Sequence, residues 1–275
     1  MNIDKIINKY LDLGYTSDNV ESKVSQDIIL SKISKSKFKE HITVKGGVVM
    51  HSISNDKRRA TRDLDLDFIK YSLDDESIVN FISLLDKVDD GIHIKIDGAI
   101  TPLHHQDYDG KRIFLKITDD YSNSLDTKLD IGVHKLVEIE QDDYCFNLDA
   151  LNESVSLLIN SKEQIFTEKL KSLLKMGARS TRYKDLFDFY YLIKNSGLNK
   201  KKLLKSFDLY IYSDENMREN NIHDIYERLD KVFNSRIYKN NLNNAKTNWL
   251  DIDVDEAVKF VLNYIEKLSE KFVNV

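Results

Sequence analysis

Residues 59–68 read Arg59-Ala60-Thr61-Arg62-Asp63-Leu64-Asp65-Leu66-Asp67-Phe68, and the strict alternation in this stretch decides how the rest of the chain is read. On a β-strand, residues two apart share a face. Asp63, Asp65 and Asp67 therefore line one face, while Leu64, Leu66 and Phe68 enter a core. Carboxylates this close repel one another, and a fold tolerates that repulsion when a cation sits among them. The competing reading is an edge strand whose outward charges prevent aggregation. A calcium loop is excluded, because it needs Gly five residues and Glu eleven residues after its first Asp. Those positions hold Phe68 and Asp74. What remains is a two- or three-carboxylate grip on a hard cation such as Mg²⁺, of the kind used with substrate phosphates.

Upstream, Ile42-Thr43-Val44 reads as a short strand that runs into Lys45-Gly46-Gly47, and Val48-Val49-Met50 opens a buried helix. A strand–Gly-Gly–helix junction exposes backbone N–H groups at a helix N-terminus, which favours phosphate oxygens, although a glycine pair is also an ordinary turn. Before it, residues 24–34 have the spacing of a short amphipathic helix, and after it residues 55–58 form a polar turn. Downstream, residues 76–88 predict a helix with Ile78, Phe81, Ile82 and Leu85 inward. Strand-like segments follow at 92–100, 112–118 and 128–133, with Asp109-Gly110 as a hairpin signal.

The character changes near residue 155. Apolar residues then recur at three- and four-residue spacing over 163–176, 185–194, 201–210, 222–233 and 254–272. The expected fold is α/β (α+β), a mixed sheet with flanking helices over residues 1–155 followed by a helical domain over 156–275.

The 275 residues are 41% hydrophobic, enough for a sizeable core, and 32% charged with a net charge of -5. Global attraction to nucleic acid is thus missing, and any polynucleotide contact must come from a local patch. Lys169, Lys171, Lys175, Arg179, Arg182 and Lys184 are candidates; Lys200-Lys201-Lys202 reads as a solvated helix face. The single cysteine, Cys145, excludes an internal disulfide and argues against a thiolate zinc site. With no apolar run of membrane-span length and a polar N-terminus, the expectation is a soluble, cytoplasmic protein with no membrane partner. His104-His105 would point to opposite faces of a strand and so would not share an ion. Of the 14 tyrosines, Tyr183, Tyr190 and Tyr191 could stack on bases, but core packing is the better reading for most.

A metal-dependent transferase needs a further acid from a neighbouring strand. Leu129-Asp130-Ile131 supplies one, since Asp is depleted in strand interiors; Asp126 is a weaker competitor. In the helical half, Lys169 lies among Ile165, Phe166, Leu173 and Leu174, and Asp185 precedes Leu186-Phe187. Singly, Glu168, Lys169 and Lys171 read as a solvated helix face and Asp185 as a helix cap.

Taken in order, Gly46-Gly47, Arg59-x-Thr61-x-Asp63-x-Asp65, Asp130, Glu168-Lys169 and Arg182-x-Lys184-Asp185-x-x-Asp188 resemble the AbiEii toxin family of nucleotidyltransferases, a branch of the DNA polymerase β-like superfamily. The resemblance runs from about Gly46 to Leu192. It implies a nucleotidyltransferase fold in the first half and a toxin of a bacterial toxin–antitoxin or phage-defence system. Such a toxin transfers a nucleotide from a nucleoside triphosphate to an RNA acceptor, foremost tRNA, and is restrained by a partner antitoxin. It further implies that Asp63, Asp65 and Asp130 hold Mg²⁺ (or Mn²⁺), with Asp130 completing the site or taking the proton of the attacking hydroxyl. Lys169 would neutralise triphosphate charge, and Asp185 would orient it or touch the nucleotide. Gly46, Gly47, Arg59, Thr61 and Arg182 would belong to the nucleotide site, Arg59 holding either the acidic strand or the phosphates.

Two departures stand out. Val48 occupies a position where the family often has Ser or Thr, so phosphate contact would fall to backbone N–H groups or to Ser52 and Ser54. Asp67 is an acid beyond the family register. Two other functions stay open: nucleotidyl transfer to a protein or small molecule, and a non-catalytic nucleotide-binding module on the same fold.

Overall fold

The computed structural model describes residues 1–103, 110–136, 138–242 and 247–269. The chain divides into two compact units, 1–160 and 161–275. The hairpin signal at Asp109 and the His104-His105 pair lie outside the described residues.

The first unit opens with two helices, α1 (Ile3–Asp12) and α2 (Ser17–Ser34). Asn2 caps α1 by accepting a hydrogen bond from the Lys5 N–H. α1 buries Ile3, Ile6 and Tyr10, a stripe not anticipated from the sequence. α2 starts seven residues before the expected helix, and it is not amphipathic. From Lys23 to Ile33 every residue is buried, the charged ones included. Buried charge requires partners, and α2 has them. The Lys23 ammonium lies 2.8 Å from Asp27, Tyr10 donates its hydroxyl to Asp27, and Lys32 donates to the Val88 carbonyl and to Asp90.

Strand β1 (Ile42–Lys45) leads directly into α3 (Gly46–Ser54), which ends at Asn55 in the left-handed conformation. Strand β2 (Leu64–Phe68) and helix α4 (Asp75–Asp86) follow. Next come β3 (Ile92–Ile96), the short β4 (Thr101–Pro102), β5 (Lys111–Asp119) and β6 (Ser124–Val133). The last two strands, β7 (Asp142–Leu148) and β8 (Glu153–Ile159), form a hairpin that reading the sequence did not recover. Its inward residues alternate in the usual way: Phe146 and Leu148, then Val155, Leu157 and Ile159.

The sheet runs β3-β5-β6-β2-β1-β8-β7, with β4 paired to β5. β1 pairs β8 and β2 pairs β6 in parallel; the remaining pairs are antiparallel. The chain leaves this sheet after Ile159, and the units part between Asn160 and Ser161, five residues past 155/156 and inside the 148–162 stretch over which the sequence leaves the boundary open. Leu64, Leu66 and Phe68 are buried as the alternation requires, and Phe68 packs edge-on against Phe81 of α4 and Tyr71.

The second unit is helical: α5 (Lys162–Met176), α6 (Lys184–Tyr191), α7 (Lys200–Phe207), α8 (Ile222–Phe233), α9 (Arg236–Leu242) and α10 (Val254–Ser269). α6 and α7 each continue into a wider turn, at Leu192–Ser196 and Asp208–Tyr212. Its core gathers Phe166, Phe187, Phe189, Phe207, Phe233, Tyr238 and Trp249. Tyr190 is buried against Phe260, Tyr183 packs on Tyr238 and Tyr191 on Trp249, so these tyrosines pack against neighbouring side chains. Among the described residues, no helix is long and apolar enough to cross a membrane.

Candidate active site

The glycine pair has a steric reason to be glycine. Gly46 sits at φ +70°, a region L side chains avoid, and a Cβ there would lie 2.5 Å from Asp65 Oδ2. A Cβ on Gly47 would meet Thr61 Oγ1 at 2.7 Å and Thr61 Cβ at 2.8 Å. The first turn of α3 is thus pressed against the two residues, Thr61 and Asp65, that frame the acidic segment. Register explains this: Lys45 of β1 stands opposite Asp65 of β2, so α3 begins at the level of that carboxylate. Gln26 of α2 holds the segment from behind, its side-chain amide donating to the Thr61 carbonyl at 2.9 Å and to the Asp63 carbonyl at 3.5 Å.

The three acids of the stretch have three different environments. Asp67 is buried, and Lys45 Nζ lies 2.6 Å from it. It is therefore the counter-ion of the lysine that precedes the glycine pair. Asp63 stands just before β2, partly exposed, with Lys128 Nζ at 2.7 Å. Asp65 faces Gly46 and, across the parallel β2–β6 pair, is in register with Asp130. Asp130 is buried and receives both arms of Arg112, Nε to Oδ1 at 2.7 Å and Nη2 to Oδ2 at 2.8 Å. That hydrogen-bonded pairing, reinforced by the charges of Asp130, Asp63 and Asp65, holds the Arg112 guanidinium more firmly protonated than usual.

The acids expected from two strands are therefore brought to one face, with Arg112 and Lys128 among them. Among the described residues, no three His, Cys, Asp or Glu side chains group closely enough to hold an ion. The three-ligand set Asp63–Asp65–Asp130 is thus not drawn together, because Lys128 holds Asp63 and Arg112 holds Asp130. The donors nevertheless suit a hard divalent ion. Asp65 and Asp130 present carboxylates side by side next to the Gly46 cradle, and Mg²⁺ takes one or two protein carboxylates and completes its shell with water and phosphate.

Two expected phosphate contacts are corrected by the geometry. Ser54 lies at the far end of α3, about 12 Å along the axis from Gly46 at 1.5 Å per residue, and donates to the His51 carbonyl. Ser52 lies about 9 Å along the same axis. Val48 is buried, so it is a core residue. Of the groups considered on α3, the backbone N–H groups at its start are the ones beside Asp65. Arg59 is buried too, and its charge falls on His51. Burial first, then the charges of Lys23 and Arg59, lower His51 to about 4, which keeps the imidazole neutral where its Nε2 meets the Tyr15 hydroxyl at 3.1 Å.

In the second unit, Lys169 is no surface lysine. It is buried on α5, with its ammonium 2.6 Å from Asp185 and 2.9 Å from Asp188, both on α6 and both buried. Asp185 does not cap α6. Its second oxygen accepts from Arg182 Nε at 2.9 Å, and Arg182 is half exposed. Asp188 accepts from the Trp249 indole at 3.1 Å. Glu168, beside Lys169, accepts from Gln164 at 2.9 Å. Lys171 and Lys175 both turn to Asp214, at 2.6 and 3.5 Å. Burial opposes ionisation of Asp214, but hydrogen bonds from Lys171 and Asn216 outweigh it and hold the carboxyl far below the usual range. The candidate basic patch is thus largely neutralised by acids of its own unit.

Residues that sequence reasoning missed are the partners: Lys45, Arg112 and Lys128 in the first unit and Trp249 in the second; Asp188 stands in the motif but had no role assigned to it. Asp188 carried a signal, being in phase with Asp185 on one helix face. Arg112 carried none, since nothing local tells which β6 residue stands opposite it.

A family model described as nucleotidyl transferase AbiEii toxin, type IV toxin–antitoxin system, matches residues 28–259. No curated protein matches the chain. Among solved structures, the chain is similar to the crystal structure of an antigenic nucleotidyltransferase-like protein from Paracoccidioides brasiliensis. The two are 16% identical, with 89% of this chain and 94% of that one covered at a TM-score of 0.41.

Proposed function

The chain belongs to the AbiEii nucleotidyl transferase toxin family of type IV toxin–antitoxin systems, and from that premise we propose that it transfers a nucleotide from a nucleoside triphosphate to an RNA acceptor, foremost tRNA, in a Mg²⁺-dependent reaction. The observation that carries this reading is the meeting of Gly46 with Asp65, with Asp130 alongside in register.

The N-terminal N–H groups of α3 receive the triphosphate, drawn by the helix dipole, and the missing side chains of Gly46 and Gly47 let Asp65 and Thr61 stand close against that turn. Asp65 and Asp130 would hold Mg²⁺ or Mn²⁺. Asp63, with Lys128 as counter-ion, brings a further carboxylate to the open end of the strand. An ion held there would supply neutralisation of phosphate charge and stabilisation of the attacking and leaving oxygens. Thr61 fixes the distance between the glycine turn and the acids, and Gln26 fixes Thr61. In the second unit, Asp185 and Asp188 set the position of Lys169, and Arg182 completes the pairing of Asp185. The toxin works in the cytoplasm against an antitoxin encoded with it.

The test is incubation of the purified protein with each radiolabelled triphosphate, Mg²⁺ and separate pools of tRNA, total protein and metabolites. Label in tRNA that disappears with Asp65→Asn supports the reading. Label in protein or small molecules moves the function to another acceptor. Tight binding of a triphosphate by calorimetry, with no transfer to any pool, makes the chain a binding module.

A further inference from the structure

Asp130 is the most enclosed of the acids assigned to the ion, and both its oxygens are engaged by one guanidinium. A buried carboxylate cannot stand alone: removing its cation leaves an uncompensated charge away from water. The two partners differ in freedom. The side chain of Asp130 is 7% exposed, that of Arg112 is 34% exposed. Arg112 can swing outward on its long stem, whereas Asp130 cannot leave. Arg112 also lies in the field of Asp63 and Asp65. A divalent ion arriving between Asp65 and Asp130 meets a fixed positive charge already on one of its two ligands.

We propose that Arg112 is the resident counter-ion of the Asp65–Asp130 pair, and that the site loads by exchange: the divalent ion takes Asp130 as Arg112 turns away to an incoming phosphate. This rests on the metal site proposed above and adds a residue to it. Exchange has a purpose that simple addition lacks. The nucleotide-free protein keeps Asp130 neutralised and binds the ion weakly, so ion and triphosphate enter together. The anionic phosphate is what makes the outward position of Arg112 favourable, since the planar fork pairs with phosphate as well as with carboxylate.

The experiment titrates Mn²⁺ into nucleotide-free full-length protein and follows free Mn²⁺ by electron paramagnetic resonance. Arg112→Gln is expected to bind Mn²⁺ at least tenfold more tightly than wild type, and Asp130→Asn in the same chain is expected to abolish the gain. Arg112→Lys keeps the charge but loses the fork, and should gain only a few-fold. Lys116→Gln is the charge control. It removes a cation from the same face of β5, about 13 Å away at the usual rise per residue, and should gain nothing. Thermal unfolding supplies a second readout: Arg112→Gln should melt below wild type without metal and recover with Mn²⁺. If Arg112→Gln binds no better than wild type, or its gain survives Asp130→Asn, or Lys116→Gln gains equally, exchange at Asp130 is refuted. The labelling assay with Asp65→Asn judges the underlying transferase reading separately.

Discussion

Gly46→Ala tests the site more sharply than removal of any acid, because it removes no functional group and only shifts one. Two costs follow from the geometry. The first is conformational: alanine at φ +70° costs about 1–2 kcal/mol relative to glycine. For a protein of this size that lowers Tm by about 2–8 °C, at about 2–4 °C per kcal/mol. The second is displacement. The new Cβ would lie 2.5 Å from Asp65 Oδ2, and an ordinary contact begins at 3.4 Å, so the carboxylate must retreat by the difference, about 0.9 Å. A misplacement of about 1 Å in a catalytic constellation costs on the order of a hundredfold in rate. Transfer of label should therefore fall about a hundredfold while most of the protein stays folded at 25 °C. Labelling rate and thermal melt are measured on the same preparation. Gly47→Ala makes the complementary case. Its Cβ would collide with Thr61 Cβ at 2.8 Å, a backbone-tethered atom that cannot rotate away, so Thr61→Gly should restore much of what Gly47→Ala loses. Transfer by Gly46→Ala within threefold of wild type would refute the placement of Asp65 at the reacting centre.

Lys169→Met should cost about 3–5 kcal/mol, because it leaves Asp185 and Asp188 buried without their shared cation. Urea unfolding can be followed through Trp249, the sole tryptophan, which is itself bonded to Asp188, and a loss under 1 kcal/mol would show that Lys169 does not neutralise the pair. His51 makes stability fall on the acid side. Its folded value is lowered from 6.5 to about 4, so its contribution is complete above the unfolded value and is lost as pH falls from 6.5 toward 4, by about 3 kcal/mol in all at 1.36 kcal/mol per unit. Denaturation at pH 7.5 and 4.5 should show that loss in wild type and not in His51→Gln; equal losses would place the acid sensitivity elsewhere.

Much of the architecture was legible because it is written in short-range periodicity. The alternation over 63–68 predicts a strand with a buried apolar face, and Leu64, Leu66 and Phe68 form it. The helical phase over 222–233 matches α8 end to end. The failures have local causes. β7 and β8 were missed although Phe146, Leu148, Val155, Leu157 and Ile159 alternate, because Asp142-Asp143 and the interspersed serines dilute the apolar signal. α2 was read as amphipathic because Lys23, Asp27 and Lys32 look solvent-facing, until Lys23 pairs with Asp27 and groups from distant positions, the Tyr10 hydroxyl and the Asp90 carboxylate, pair with Asp27 and Lys32.

The sequence alone supplied the candidates for chemistry: the glycine pair, the acids of the alternating strand, the lone Asp130, Lys169 and Asp185. Those types at those spacings are costly unless used. Their partners were decided only in three dimensions. Asp67 belongs to Lys45, Asp63 to Lys128, Asp130 to Arg112, and Lys169 to two aspartates at once. Periodicity tells which face a side chain takes, because that follows from backbone geometry residue by residue. Charge pairing depends on strand register and helix packing between distant segments, and a shift of one residue would exchange every partner.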